Sequence, residues 1–297
     1  MPSTCTRHQW TAPDGETFAY SAWGSNLESA QFPRAVVVAV HGLSGAAVDY
    51  EPLGSHLARH GVVTFALELR GQGNDPVSKR RGDLARLEDW FSDLRAFFAL
   101  IRARYPEIQI FYYGESMGAA ILTRFLAQAA RTDLPAGLVL ASPVITVPGN
   151  PGWWRQLIFH FFYFFTPTRR INVSKYTKRV DEDDPAHWVT RDAAHRQWIK
   201  TAPHRITTFT FRFFKNLFDL MGGCVDAAPR ITIPVLVIYA ANDVFVPPAN
   251  VEKFFARLGS REKELCLFPE SFHLLLHDHD RDKALERIES WLLRRIH

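Results

Sequence analysis

The chain has 297 residues, 47% of them hydrophobic and 22% charged, with a net charge of +4 at neutral pH. That length suits one large α/β domain with an insertion, or two small domains, and the composition is that of a globular protein with a sizeable core. A balance this mildly basic does not mark a nucleic-acid partner, no apolar run reaches the ~18–20 residues of a membrane span, and Met1 to Trp10 lacks the apolar centre of a secretory leader. Three cysteines, Cys5, Cys224 and Cys266, are odd in number and far apart. They offer neither a disulfide framework nor metal-ligand spacing, so a reducing, cytoplasmic compartment with no metal or cofactor is expected.

In chain order, His8 to Trp23 carries Pro13-Asp14-Gly15 between two β-like runs, a hairpin signal. Ala35 to Val40 is a continuous apolar run, the pattern of a strand buried on both faces, and it ends at His41-Gly42-Leu43-Ser44-Gly45. Glu51 to His60 reads as a helix stopped by Gly61, and Val62 to Leu67 as a second buried strand. Leu87, Trp90, Phe91, Leu94, Phe97, Phe98 and Ile101 recur at three and four residues, which predicts an amphipathic helix over Arg86 to Arg104. Ile108 to Tyr113, Gly137 to Ala141, Val235 to Ala240 and Glu264 to Phe268 read as further strands, and Asp282 to Ile296 as a closing helix. Strands alternating with helices imply a parallel sheet wrapped on both faces. The alternation breaks between Pro148 and about Ala228, where no buried strand is evident. The expected organisation is a core over 1–147, a helical cap over 148–228, and the rest of the core over 229–297.

The chemistry concentrates at Gly114-Glu115-Ser116-Met117-Gly118. A G-x-S-x-G match means little alone, but here it stands between a buried strand and an Ala-rich helix. A turn that sharp needs nearly bare residues two before and two after the serine, and it lifts the hydroxyl clear of the sheet. The next helix aims its N-terminal amides at the same spot, so the Met117 N–H can bond a developing oxyanion.

Taken together, His41-Gly42, Arg70-Gly71-Gln72-Gly73, Gly114-Glu115-Ser116-Met117-Gly118, Asn242-Asp243-Val244-Phe245-Val246-Pro247 and Phe272-His273 resemble an α/β-hydrolase. More narrowly, they resemble its monoacylglycerol lipase and lysophospholipase branch. The resemblance covers nearly the whole chain and is weakest in the insertion. It implies an eight-stranded, mostly parallel sheet and a serine esterase acting on fatty acyl esters. Ser116 would be the nucleophile, His273 the general base, and Asp243 the carboxylate that orients the imidazole. The second oxyanion donor would be the Leu43 N–H. From the residues alone, Asp243 reads equally as a turn residue capping the next helix. His273 has rivals in His277 and His279 but follows the last strand directly, as a base at the sheet's edge should. The run His277 to Asp280 reads as a solvated helix cap rather than a metal cluster. Glu68, Gln72, Asn74, Ala119 and Ala240 depart from the family's usual residues, which bears on the subfamily and not on the three reactive side chains.

The insertion opens with Trp153 to Phe165, apolar nearly all round at helical spacing. Trp154, Phe161 and Phe165 are the expected substrate contacts, as an acyl-chain wall. A membrane-facing patch and a fully packed cap are the other readings of the same run. Arg155, Arg169, Arg170, Lys175, Lys178 and Arg179 follow without an intervening acid, before Asp181-Glu182-Asp183-Asp184. A greasy helix beside such a run fits contact with an anionic lipid surface.

Overall fold

Continuous apolar runs become strands that are covered on both sides, and their flanking helices decide which faces are covered. The computed structural model describes residues 5–24, 33–146, 153–173 and 189–297. β1 (Thr6–Thr11) and β2 (Thr17–Trp23) form the antiparallel hairpin, and Gly15 takes a φ of 87° in its turn. Then come β3 (Ala35–Val40), α1 (Glu51–Ala58), β4 (Val62–Leu67), α2 (Leu87–Arg104), β5 (Ile110–Glu115), α3 (Met117–Leu126) and β6 (Gly137–Ala141). The insertion contributes α4 (Trp153–Phe165), β7 (Arg170–Asn172), α5 (Ala193–Thr201), β8 (Thr208–Thr210), α6 (Phe211–Gly222) and the short α7 (Cys224–Ala227). β9 (Val235–Ala240), α8 (Pro248–Arg257), β10 (Lys263–Phe268) and α9 (Arg281–Leu293) complete the described elements.

The main sheet has eight strands in the order β1-β2-β4-β3-β5-β6-β9-β10. Six of them, from β4 to β10 across the sheet, run parallel, and β2 meets β4 antiparallel. β3 shows why the pattern is legible. Val36, Val38 and Val40 face one core with Trp90, Leu94 and Phe97 of α2. Ala35, Val37 and Ala39 face the other with Leu53 and Leu57 of α1 and Trp291 of α9. With both faces buried, no polar position survives along the strand.

Three differences from expectation have a local cause. β5 runs to Glu115, because Gly114 and Glu115 still pair with Leu140 and Ala141, so the chain turns only at Ser116. α1 stops at Ala58, since Gly61, at φ 74°, already belongs to the turn into β4. The insertion does contain a small antiparallel ladder, β7 with β8, whose Phe209 and Thr210 are buried. Three-residue strands are too short to show alternation. The ladder is stitched to the core: Thr210 N–H donates to the Gly82 carbonyl (2.9 Å), and Asp83 accepts from Thr210 Oγ1 (2.7 Å) and from Arg212.

Candidate active site

The elbow follows from close packing at two glycines. A Cβ on Gly118 would fall 1.9 Å from the Val40 carbonyl oxygen, and one on Gly114 would fall 2.8 Å from the Ala119 backbone. Only bare backbone lets α3 start this near β3 and β5. Ser116 sits between them at φ 55°, ψ −118°, a region that non-glycine residues rarely adopt and that is found where surroundings over-determine it.

The other two side chains arrive from loops that follow parallel strands, so both reach the same edge of the sheet as Ser116. Asp243 follows β9. Its Oδ1 accepts from the backbone N–H groups of Phe245 (2.8 Å) and Val246 (3.1 Å), which leaves Oδ2 for the histidine. His273 follows β10. Its Nδ1 lies 2.7 Å from Asp243 Oδ2 and its Nε2 lies 2.8 Å from Ser116 Oγ. Burial alone would lower the His273 pKa; the Asp243 carboxylate, by charge and hydrogen bond, outweighs it and with Glu115 holds the imidazole above its ordinary value.

His277 and His279 are not brought to the serine. His277 donates from Nε2 to the Asp49 carbonyl (2.9 Å), and burial, with the nearby His195, pushes its pKa down to about 3. His279 is exposed. The run from His277 to Asp280 is also not the solvated cap expected. Asp278 is buried and accepts the Phe272 N–H (2.7 Å), while Asp280 accepts from Ser271 Oγ (2.7 Å). These two carboxylates hold the loop that carries His273. No local spacing announces this, because the partners are the Phe272 main chain, the Ser271 hydroxyl and Arg191, which lies 87 and 89 residues away in sequence.

The His41-Gly42-Leu43 turn stands against the serine: a Cβ on Gly42 would lie 3.1 Å from Ser116 Cβ and 3.5 Å from its Oγ. His41 donates from Nδ1 to the Gly42 carbonyl (2.9 Å) and accepts the Leu69 N–H at Nε2 (3.1 Å), so it braces the turn. Burial lowers its pKa. Gln72 accepts the Ser44 N–H (3.0 Å), and Asn74 donates to Glu68 (2.9 Å), so residues that depart from the family pattern brace the same turn. Among the described residues, no acceptor takes the N–H of Leu43 or Met117.

A cavity of about 420 Å³ opens over Ser116. Val144, Ile199, Ile206, Leu217, Phe218 and Met221 supply apolar wall. Asp49, Glu115, His195, His204 and His277 line a polar part. Burial pushes both Asp49 and Glu115 up to about 7.

Trp154, Phe161 and Phe165 are not among the described residues lining this cavity. They lie on the outer side of α4, half or more exposed, with Phe164 at 77%. The inward side is taken by Phe159 and Phe162, which pack on Phe211, and Phe159 also meets Phe218. The expected acyl-chain contacts are thus corrected: the wall nearest the serine comes from α5, α6 and the loop between α5 and β8.

A doubly covered parallel sheet with a serine elbow defines the α/β-hydrolase class. Within it, the chain belongs to the hydrolase family described as serine aminopeptidase S33, whose model matches residues 31–280. It is 21% identical to a monoacylglycerol lipase of Mycolicibacterium smegmatis, with 99% of each chain covered, and 23% identical to the monoglyceride lipase of Saccharomyces cerevisiae, covering 92% of this chain and 88% of that one. The fold is similar to that of a soluble variant of the yeast enzyme in complex with a substrate analogue, with a TM-score of 0.81, 21% identity, and 100% and 97% of the two chains covered.

Proposed function

We propose that the chain hydrolyses the ester of a monoacylglycerol through an acyl-enzyme on Ser116. The observation that carries this reading is the relay Asp243–His273–Ser116, at 2.7 and 2.8 Å, opening into a largely apolar cavity. His273 Nε2 takes the Ser116 proton as Oγ attacks the ester carbonyl. The N–H groups of Leu43 and Met117 stabilise the oxyanion. The imidazolium, steadied by Asp243, returns its proton to the leaving glycerol oxygen, and water then repeats the sequence on the acyl-enzyme. The activities for which the relatives are named, monoacylglycerol and monoglyceride lipase, support a glycerol ester in particular. The cavity supports it over a lysophospholipid. Arg205 is the only Arg or Lys among the described lining residues, whereas the buried Glu115 and the partly buried Asp49 present carboxyls. At and above about pH 7, where these carboxyls ionise, a phosphate would meet like charge, while a hydroxyl can donate to the ionised form or accept from the protonated one.

Residues 148–228 form the cap in this reading, and the outer side of α4 rests on a lipid surface. Trp154, Leu157, Ile158, Phe161, Phe164 and Phe165 expose 49–77% of their surface there. Lys79, Arg81, Arg170 and Arg205 line one shallow basic pocket, suited to anionic headgroups. Lys175, Lys178, Arg179 and Asp181 to Asp184 lie outside the described residues. Among the described residues, no helix is long and apolar enough to cross a membrane.

The test compares monoacylglycerol with the lysophosphatidylcholine of the same acyl chain and an aminoacyl p-nitroanilide. Monoacylglycerol should give the largest kcat/KM, and Ser116→Ala should abolish it and fluorophosphonate labelling together. Faster turnover of lysophospholipid would refute the headgroup argument, and faster turnover of the anilide would refute the ester assignment. Activity surviving Ser116→Ala would refute the mechanism.

A further inference from the structure

Two histidines and one carboxylate converge away from the serine. His56 is in the last turn of α1, His60 follows four residues later, and Glu289 comes from α9. His56 Nε2 lies 2.7 Å from Glu289 Oε2, and His60 Nδ1 lies 3.2 Å from Glu289 Oε1. One ligand atom from each of the three falls within 4.8 Å of the others. We infer that His56, His60 and Glu289 form a site for a divalent transition metal of the Zn²⁺ class, which clips the last helix to α1.

The chemistry fits the donor set. Zn²⁺ takes imidazole nitrogen at about 2.0–2.1 Å and carboxylate oxygen at about 2.0–2.2 Å in tetrahedral array, so neighbouring ligand atoms lie about 3.4 Å apart. The present separations need only small side-chain adjustment to reach that. Two imidazoles and one carboxylate leave the fourth position for water. Mg²⁺ and Ca²⁺, which prefer all-oxygen shells, are poorly served by it.

One neighbour opposes the ion. Arg59 donates to His56 Nδ1 at 2.9 Å. In that arrangement Nδ1 is the acceptor and the proton sits on Nε2, facing Glu289. Coordination through Nε2 requires the proton on Nδ1, so the guanidinium must swing away. Arg59 is exposed and free to do so. Metal binding therefore moves the His56 proton from Nε2 to Nδ1 and replaces the His–Glu contacts by metal–ligand bonds.

The consequence is mechanical. α9 begins a few residues beyond His273 and buries Trp291, Ile288 and Leu285 in the core shared with α1. A metal bridging Glu289 to α1 stabilises the native state, where the three ligands are together, over the unfolded chain, where Glu289 is 229 residues further on from His60.

The test uses the full chain dialysed against EDTA, with Zn²⁺ alone as the probe. Calorimetric titration and thermal unfolding should show one site and a rise in Tm of a few degrees at about a hundredfold excess over Kd. His60→Ala and Glu289→Gln should each lose the metal-dependent rise, whatever their own apo Tm. Arg59→Gln should tighten binding, and Mg²⁺ should not substitute. Co²⁺ should give the visible bands of a tetrahedral N/O site. A Zn²⁺ response absent from the wild-type chain, or retained at equal strength in Glu289→Gln and His60→Ala, overturns the site.

Discussion

The relay makes a sharp prediction for Asp243→Asn. Asp243 Oδ1 accepts two backbone N–H groups, from Phe245 and Val246, and only Oδ2 faces His273. An asparagine side chain has one acceptor oxygen and one donor NH₂ to distribute between these two sides. Turning the NH₂ toward the two amides would set donors against donors and cost about 1–3 kcal/mol for each unsatisfied group. The oxygen therefore stays on the amides and the NH₂ points at His273 Nδ1. That nitrogen must now accept, which moves the imidazole proton to Nε2, facing Ser116 Oγ. The histidine keeps its position but has no lone pair for the serine proton. The expected loss is on the order of 10⁴ in kcat, about 5.4 kcal/mol of transition-state stabilisation. KM should change far less, because Asp243 is not among the described residues lining the cavity. The assay is steady-state hydrolysis of a soluble short-chain monoacylglycerol, with Tm and circular dichroism to show a folded chain. A folded variant that keeps kcat within about tenfold of wild type would refute the tautomer argument.

Glu115→Gln removes a charge that helps hold the His273 pKa up, so the acid limb of the kcat/KM profile should move to lower pH; an unmoved limb would mean that Glu115 does not sense the imidazole. Asp49 binds its proton up to about pH 7 when folded and only to about 4 when unfolded, so the native state holds the extra proton between those values and stability falls as pH rises across them. Asp49→Asn should flatten that slope in denaturant titrations run from pH 4 to 8. Phe164, 77% exposed, carries about 150 Å² of apolar surface, worth up to ~4 kcal/mol if fully buried. With half of that realised at an interface, Phe164→Ser should weaken sedimentation with anionic vesicles by about thirtyfold while leaving turnover of a soluble ester unchanged.

What could be read from the sequence divides along physical lines. β3 was legible because a strand covered on both sides has no polar position to confuse it, and Ser116 because a turn this tight admits only glycine at its flanks. His273 stood out over its neighbours because it directly follows the last strand, at the edge of the fold where a base is needed, whereas Asp243, equally a turn residue by itself, was singled out only by the family resemblance. Asp278 was not, since its partners are a main-chain N–H and, 87 residues away, Arg191, neither of which any local spacing announces. His56, His60 and Glu289 were not, since their juxtaposition is made by the packing of α1 on α9 and by no local spacing. α4 fails for a different reason. An amphipathic helix declares its inward side by the contrast between its faces, and α2 shows that contrast in Trp90, Leu94 and Phe97. In α4 apolar residues lie on every side, so periodicity carries no phase. The inward side is set by what is available to receive it, and here Phe211 and Phe218 of α6 receive Phe159, while Phe211 also receives Phe162. Trp154, Phe161 and Phe165 are then left outside by geometry rather than by polarity. A buried helix has no use for that much exposed aromatic surface, and this is why the outer side of α4 is read as a surface that meets lipid.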